Sequence, residues 1–518
     1  MTTSDSQNEP LLSPHHEHHH KSPSALLKRH LSMAVTCVGI LAVVATQYWA
    51  SQHANIILSS ATPLMPDKDD FIADSVIEFR KGPGVGNNKE EEIHDVNNNK
   101  EDPGLDFHGT PLHVVFSTSC HEQMHWESFV FFYHAWKVKQ PGTVTRIASG
   151  CSDAEAEEAR TFHEQAIQPM SDRFYLHLTP DFSKMRLPEK KGGGSYKYMN
   201  KPFGLRSWME NVLQMNSTDR PKGVEDGVVI LMDPDMVLLR PLVHDFSNED
   251  VIWVEDKPAT TIVKHGYPMA QQDGYLGNQW MYIDGAFVTG DPNIGKPKDP
   301  SGPKHWNTGP PYLATVKDMY DIVTLWTEYA PRVDHINPGL FAEMQGFIWA
   351  TYKLHLPHTL LKSIVVSTTV SQHREGWAYV DALPDNQVCA PPALAKLPIG
   401  LHYCKRYALG PDFFFSKYRL KKNFLQCSTP LLLPPPLDIG AQYDYYIAPP
   451  PAKSPKNVQD REKKSFSKKQ AKREAFMLCG MISAVNDAAT YFKQHMCDGE
   501  EANFQKIYTI ANNPGNYW

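Results

Sequence analysis

Residues 230–240 read ILMDPDMVLLR. Ile230, Leu231 and Met232 continue an apolar run that starts at Val228 and stops at Asp233. Pro234 fixes its own φ and has no backbone donor, so the chain turns there. Asp235 adds a second carboxylate, and the sequence is apolar again through Leu239. A short apolar run bounded by a turn predicts a buried strand. Two carboxylates at its end are costly unless they are paired or bind a cation. In open α/β sheets, ligands bind at the carboxyl ends of strands. A hard divalent ion takes oxygen ligands and keeps positions for phosphate oxygens. Asp233 and Asp235 therefore suit a metal that joins protein to diphosphate and offsets charge on a phosphate leaving group. Asp and Pro also favour turns and caps, so the spacing alone leaves a plain turn open.

The same alternation extends in both directions from this stretch. LHVVFST (112–118), TVTRIAS (143–149) and RFYLHLT (173–179) predict buried strands. Helical spacing separates them in HEQMHWESFVFFYHAWKV (121–138), DAEAEEARTFHEQA (153–166) and NKPFGLRSWMENVL (200–213). Strands alternating with helices predict βαβ units and a mostly parallel, Rossmann-like sheet with flanking helices. This places an α/β domain over residues 110–427.

The ends differ. Residues 31–50, LSMAVTCVGILAVVATQYWA, carry no charge and are long enough to span a bilayer as a helix. Lys21, Lys28 and Arg29 precede the run and no Lys or Arg follows until Lys68. The positive-inside rule then puts residues 1–30 in the cytosol and the rest in the lumen, as a single-pass type II signal-anchor. A cleaved signal peptide is the competing reading. Residues 51–109 are charged and Asn-rich, which predicts a disordered lumenal stem. Residues 428–518 read as a Pro-rich linker and a basic, helical C-terminal extension. Its 518 residues carry a formal net charge of −7, which gives no support to nucleic-acid binding. Seven cysteines follow the predicted span, without zinc-site spacing, and predict disulfides with at least one thiol left over.

Other residues could complete a site at the Asp233 strand end. His402, in GLHYCKR (400–406), follows an apolar run and could be a third metal ligand; a hydrogen-bonded core histidine is the alternative. Lys405 and Arg406 could neutralise phosphate, or lie on a solvated face. Ser117 and Thr118, ending the first strand, could meet a nucleotide, or cap the next helix.

Several blocks together resemble the hydroxyproline O-arabinosyltransferase family and the related peptidyl serine α-galactosyltransferases. They are HVVFSTSCHEQMHWES (113–128), NKPFGLRSWME (200–210), ILMDPDMVLLRPL (230–242) and LHYCKRYALGPDFFFSKYRL (401–420). The third is mixed: Pro234 is similar to the arabinosyltransferases, Asp233 and Met236 to the galactosyltransferases. The resemblance covers roughly residues 110–425 and leaves the tail unassigned. It implies a GT-A-like glycosyltransferase in the Golgi or ER membrane, a UDP-sugar donor and Mn2+. It also implies a secreted acceptor protein carrying hydroxyproline, with arabinose as the favoured sugar, or serine with galactose. It places Asp233 and Asp235 in the metal and nucleotide site and His402 in the closing block. Both relatives imply retention of anomeric configuration. A double displacement would need a carboxylate at the sugar, and Glu343, Asp284 and Asp273 are the candidates. A catalytically inactive lumenal scaffold of the same fold is the reading from another class.

Overall fold

A computed structural model describes residues 109–508, apart from 122, 188–194, 274–275, 295–296, 298–301, 372–373, 393–395, 421, 448–462 and 498–501. The expected membrane span at 31–50 lies outside the described residues, as does nearly all of the expected stem. Among the described residues no helix is long and apolar enough to cross a membrane.

The central element is β4, Val228–Met232, where all five side chains are buried. Val228, Ile230 and Met232 join one hydrophobic cluster, while Val229 and Leu231 join another. This period-2 division is what a strand covered on both faces requires. β1 (Leu112–Ser119) runs parallel beside β4, followed outward by β2 (Thr143–Ser149) and β3 (Phe174–Thr179), also parallel. On the other side of β4 lies the antiparallel β7 (Thr308–Thr315). Next come β6 (Met269–Gln272) and β8 (Thr359–Leu361), which are parallel to each other. The order is β3-β2-β1-β4-β7-β6-β8. Four of its six pairings are parallel, so the mostly parallel sheet predicted from the alternation is present. The sequence did not mark β7, because Pro310 and Pro311 argue against an inner strand. The ladder accommodates them by breaking register: Gly309 pairs with Gln271 and Tyr312 with Ala270, so the prolines fall between paired positions.

Three helices cover one face of the sheet. They are α3 (Asn200–Asn211), α4 (Val316–Ile336) and α5 (Ala342–Lys353), and they bring Leu205, Trp208, Trp326 and Phe347 to one cluster. On the other face, α1 (Gln123–Lys137) supplies Phe129, Phe131 and Phe132. The second helix there is α6 (Lys468–Met496), from the region read as an extension. Its Ala471, Ala475, Leu478, Ile482, Val485 and Ala489 are buried in the same cluster as Val114 and Phe116 of β1. α6 is also pinned by polar contacts. Arg473 makes two 2.7 Å hydrogen bonds to Asp381, and Lys493 donates to the carbonyls of Gln426, Cys427 and Thr429. Disulfides Cys389–Cys479 and Cys427–Cys497 tie both halves of the helix region to the body, and Cys120–Cys151 joins the loops after β1 and β2. Cys404 takes part in no disulfide.

Candidate metal centre

The turn at Pro234 separates β4 from a short strand, β5 (Met236–Leu238). β5 belongs to a small second sheet with β9 (Val365–Val366) and β10 (Gly400–His402). β10 is antiparallel to β5 and puts His402 opposite Met236, one residue from Asp235. The Tyr403 amide then donates to the Asp235 carbonyl at 2.9 Å, closing the ladder at the turn. This approach requires glycine at 400. A Cβ there would lie 2.7 Å from the Val237 carbonyl oxygen.

Asp233, Asp235 and His402 consequently present ligand atoms within 4.8 Å of one another. His402 Nε2 is 3.3 Å from Asp235 Oδ1 and 3.9 Å from Asp233 Oδ2. The donor set is two carboxylate oxygens and one imidazole nitrogen, a mixture suited to a first-row divalent ion. The residues fit the metal that the sequence implies.

Two lysines complete the cluster, neither marked by its spacing in the sequence. Lys201, in the first turn of α3, reaches Asp233 Oδ1 at 2.8 Å and Glu343 Oε1 at 2.7 Å. Asn200 anchors that helix start by accepting the Phe182 amide at 2.7 Å. Lys417 Nζ lies 2.7 Å from Asp235 Oδ2. Both lysines were inside blocks that carried the family resemblance. What the chain alone did not show was that positions 201, 233 and 343 meet. Burial opposes charge on Asp235, His402, Lys201 and Lys417, and the partners outweigh it. His402 and Lys417 hold the Asp235 carboxyl well below the usual carboxylate range. Asp233 and Glu343 push the Lys201 ammonium up, and Asp235 does the same to Lys417. His402 is raised by Cys404 and Asp235 against burial. Glu343 goes the other way: burial raises its carboxyl despite Lys201.

The remaining predicted residues are distributed as follows. Phe116 pairs with Met232, so Ser117 is level with Asp233 on the adjacent strand. Thr118 is buried and accepts a 2.9 Å hydrogen bond from Arg146. Glu343, in the first turn of α5, is linked to the cluster through Lys201. Asp273 is buried and accepts the Leu276 amide at 2.6 Å. Asp233, Glu343 and Asp273 all act electrostatically on the buried Tyr312 hydroxyl, which puts the three carboxylates in one neighbourhood. Asp284 is exposed and caps a short helix, accepting the Ala286 and Phe287 amides. Lys405 acts on buried Glu474 of α6, and Arg406 is exposed and acts on Arg419. Among the described residues, Lys201 and Lys417 touch the aspartates.

No family model matches the chain. Two curated proteins are similar to part of it. The peptidyl serine α-galactosyltransferase of Arabidopsis thaliana is 26% identical over 153 residues, 29% of this chain and 16% of that protein. Its namesake from Chlamydomonas reinhardtii is 27% identical over 141 residues, 27% of this chain and 16% of that protein. Among solved structures, the galactosyltransferase LgtC with donor and acceptor sugar analogues matches at 10% identity and a TM-score of 0.32. That match covers 57% of this chain and 87% of LgtC. The bifunctional glycosyltransferase WbbM matches at 11% identity and a TM-score of 0.29, over 60% of this chain and 47% of WbbM. Similarity that slight carries no argument. Of the two families the sequence resembles, the curated relatives bear the name of the serine galactosyltransferases, and the chain spans about a sixth of their length.

Proposed function

We propose that the chain is a metal-dependent glycosyltransferase of GT-A-like fold that moves a sugar from a nucleotide diphosphate donor to a side-chain hydroxyl of a protein. The observation that carries this reading is the convergence of Asp233, Asp235 and His402 at the carboxyl end of β4, flanked by Lys201 and Lys417. Asp233, Asp235 and His402 would hold a divalent ion, and the family resemblance makes that ion Mn2+. When bound, the ion supplies charge to the diphosphate as it leaves. Lys417 and Lys201 bring two further positive charges to the same place, where a leaving diphosphate gathers negative charge. Ser117, level with Asp233 on β1, and Thr118 beside it would meet the nucleoside. Glu343 holds Lys201 against Asp233, and attack by Glu343 on the sugar would require release of that ion pair. Asp273, which acts on the same Tyr312 hydroxyl, is the second candidate carboxylate, and Asp284 is committed to its cap.

Galactose and serine are the favoured sugar and acceptor, following the curated relatives. Pro234 in the Asp-Pro-Asp turn keeps arabinose and hydroxyproline as the second reading. The disulfides are in keeping with an oxidising compartment, and with the N-terminal pattern they support a Golgi or ER anchor with the domain in the lumen. The test is transfer from UDP-galactose and UDP-arabinofuranose to serine-rich and hydroxyproline-rich peptides, with and without Mn2+. Transfer that needs Mn2+ and disappears in Asp235→Ala is expected. Absence of both transfer and Mn2+-dependent UDP binding would return the chain to the inactive-scaffold reading.

A further inference from the structure

We propose that Lys201 and Lys417 make the aspartate–histidine cluster a poor site for a free divalent cation and a good site for a cation that arrives with a diphosphate. This rests on the reading just given and concerns how the same site loads. Each aspartate divides its two oxygens between different neighbours. Asp233 turns Oδ1 to Lys201 at 2.8 Å and Oδ2 toward His402 at 3.9 Å. Asp235 turns Oδ2 to Lys417 at 2.7 Å and Oδ1 toward His402 at 3.3 Å. The inner oxygens and the imidazole form the ligand set. The outer oxygens are held by ammonium groups.

Two consequences follow. First, neither carboxylate can chelate an ion through both oxygens while its lysine stays in place. Second, an ammonium group sits against each aspartate, so a cation entering alone meets direct repulsion within a few ångströms. Glu343 also holds Lys201, and Glu127 acts on Lys417, which keeps both ammonium groups in place. A diphosphate alters both conditions. It offers oxygens to the lysines, whose side chains are each 13% exposed and carry their charge on flexible four-carbon stems. A Lys417 ammonium that moves to a phosphate oxygen releases Asp235 Oδ2 toward the ion. Each ligand thus removes what hinders the other, and the coupling is reciprocal.

Lysines that only brace the aspartates make the opposite prediction, since losing an outer partner of a ligand weakens metal binding. The experiment is calorimetry on the full chain with Mn2+ alone, with UDP or inorganic pyrophosphate alone, and with each anion plus Mn2+. Lys417→Met is expected to bind Mn2+ alone about tenfold more tightly, while its affinity for pyrophosphate in metal-free buffer falls by a similar factor. Lys417→Arg, which keeps the charge, should stay near wild type in both. Lys201→Met should repeat the pattern and serves if Lys417→Met is unstable. Mn2+ binding that is unchanged or weaker in the folded methionine variants overturns the proposal. Pyrophosphate binding with the expected lysine response, but no UDP binding, would sink the nucleotide-sugar reading and leave the lysine argument standing.

Discussion

Replacing Glu474 with glutamine should make the protein more stable above neutral pH and leave it nearly unchanged in acid. Glu474 lies on the buried face of α6. It accepts hydrogen bonds from the Thr369 hydroxyl at 2.5 Å and the Ala408 amide at 3.1 Å. Burial lifts its carboxyl from 4.5 to about 7, against those bonds and the charge of Lys405. Between these two values the folded state keeps a proton that the unfolded chain has released. Stability from this group is therefore complete below about pH 4.5 and is lost as pH rises through about 7. The displacement corresponds to roughly 3 kcal/mol. Glutamine can accept the Ala408 amide through its oxygen and donate its side-chain amide to the Thr369 hydroxyl, without titrating, so the difference between the two proteins isolates this one group. Urea unfolding at intervals from about pH 5 to pH 8.5, with disulfides intact, measures it. The variant should gain on the wild type up to about pH 7 and level off above it, by up to ~3 kcal/mol in all. A difference flat with pH, or a variant less stable at pH 8, would refute the assignment of a buried, protonated carboxyl.

Three further outcomes are expected. Gly400→Ala forces a Cβ to within 2.7 Å of the Val237 carbonyl; thermal melting should show about 1–3 kcal/mol of destabilisation, with Mn2+ affinity lost alongside because His402 moves. Asp381→Ala leaves the Arg473 guanidinium buried without its carboxylate, although the Thr369 and Ser371 carbonyls remain. The cost, measured by denaturant unfolding, should be about 3 kcal/mol, near the lower end for a broken buried pair. Asp235→Asn should lower Mn2+-dependent UDP binding more than about 100-fold, beyond what loss of an outer partner costs. Circular dichroism should show the fold retained, because the Tyr403 amide bonds the backbone carbonyl at 235 and not its side chain.

The ILMDPDMVLLR stretch made β4 legible because a strand buried on both faces leaves a continuous apolar run. Its aspartates were legible because charge at such a strand end is unusual. His402 could be named as a candidate only, since its place depends on a three-residue pairing with β5 that joins positions more than 160 residues apart. Lys201 and Lys417 went unassigned for the same reason: an ion pair between distant positions leaves no periodicity. Asp284 shows the converse, a carboxylate whose local job, capping a short helix, competes with chemistry. α6 was obscured by composition. Its basic residues and proline-rich approach suggested an appendage, while the alanine and leucine positions recurring every three or four residues form a buried stripe.

That burial has a biosynthetic meaning. The aromatic face of α1 is completed by residues that leave the ribosome long after it: His134 hydrogen-bonds the Ala484 carbonyl across 350 positions, and Phe129 meets Phe492. Until α6 emerges, Phe129, Tyr133 and their neighbours have no cover, and a nascent domain in that state is prone to association with other chains. Closure of so long a loop is slow. The Cys427–Cys497 bridge joins the end of α6 to a segment ahead of it, across 70 positions, so oxidation can fix this helix only after residue 497 is made. A chain truncated near residue 428 would lack this helix and leave the aromatic face of α1 uncovered.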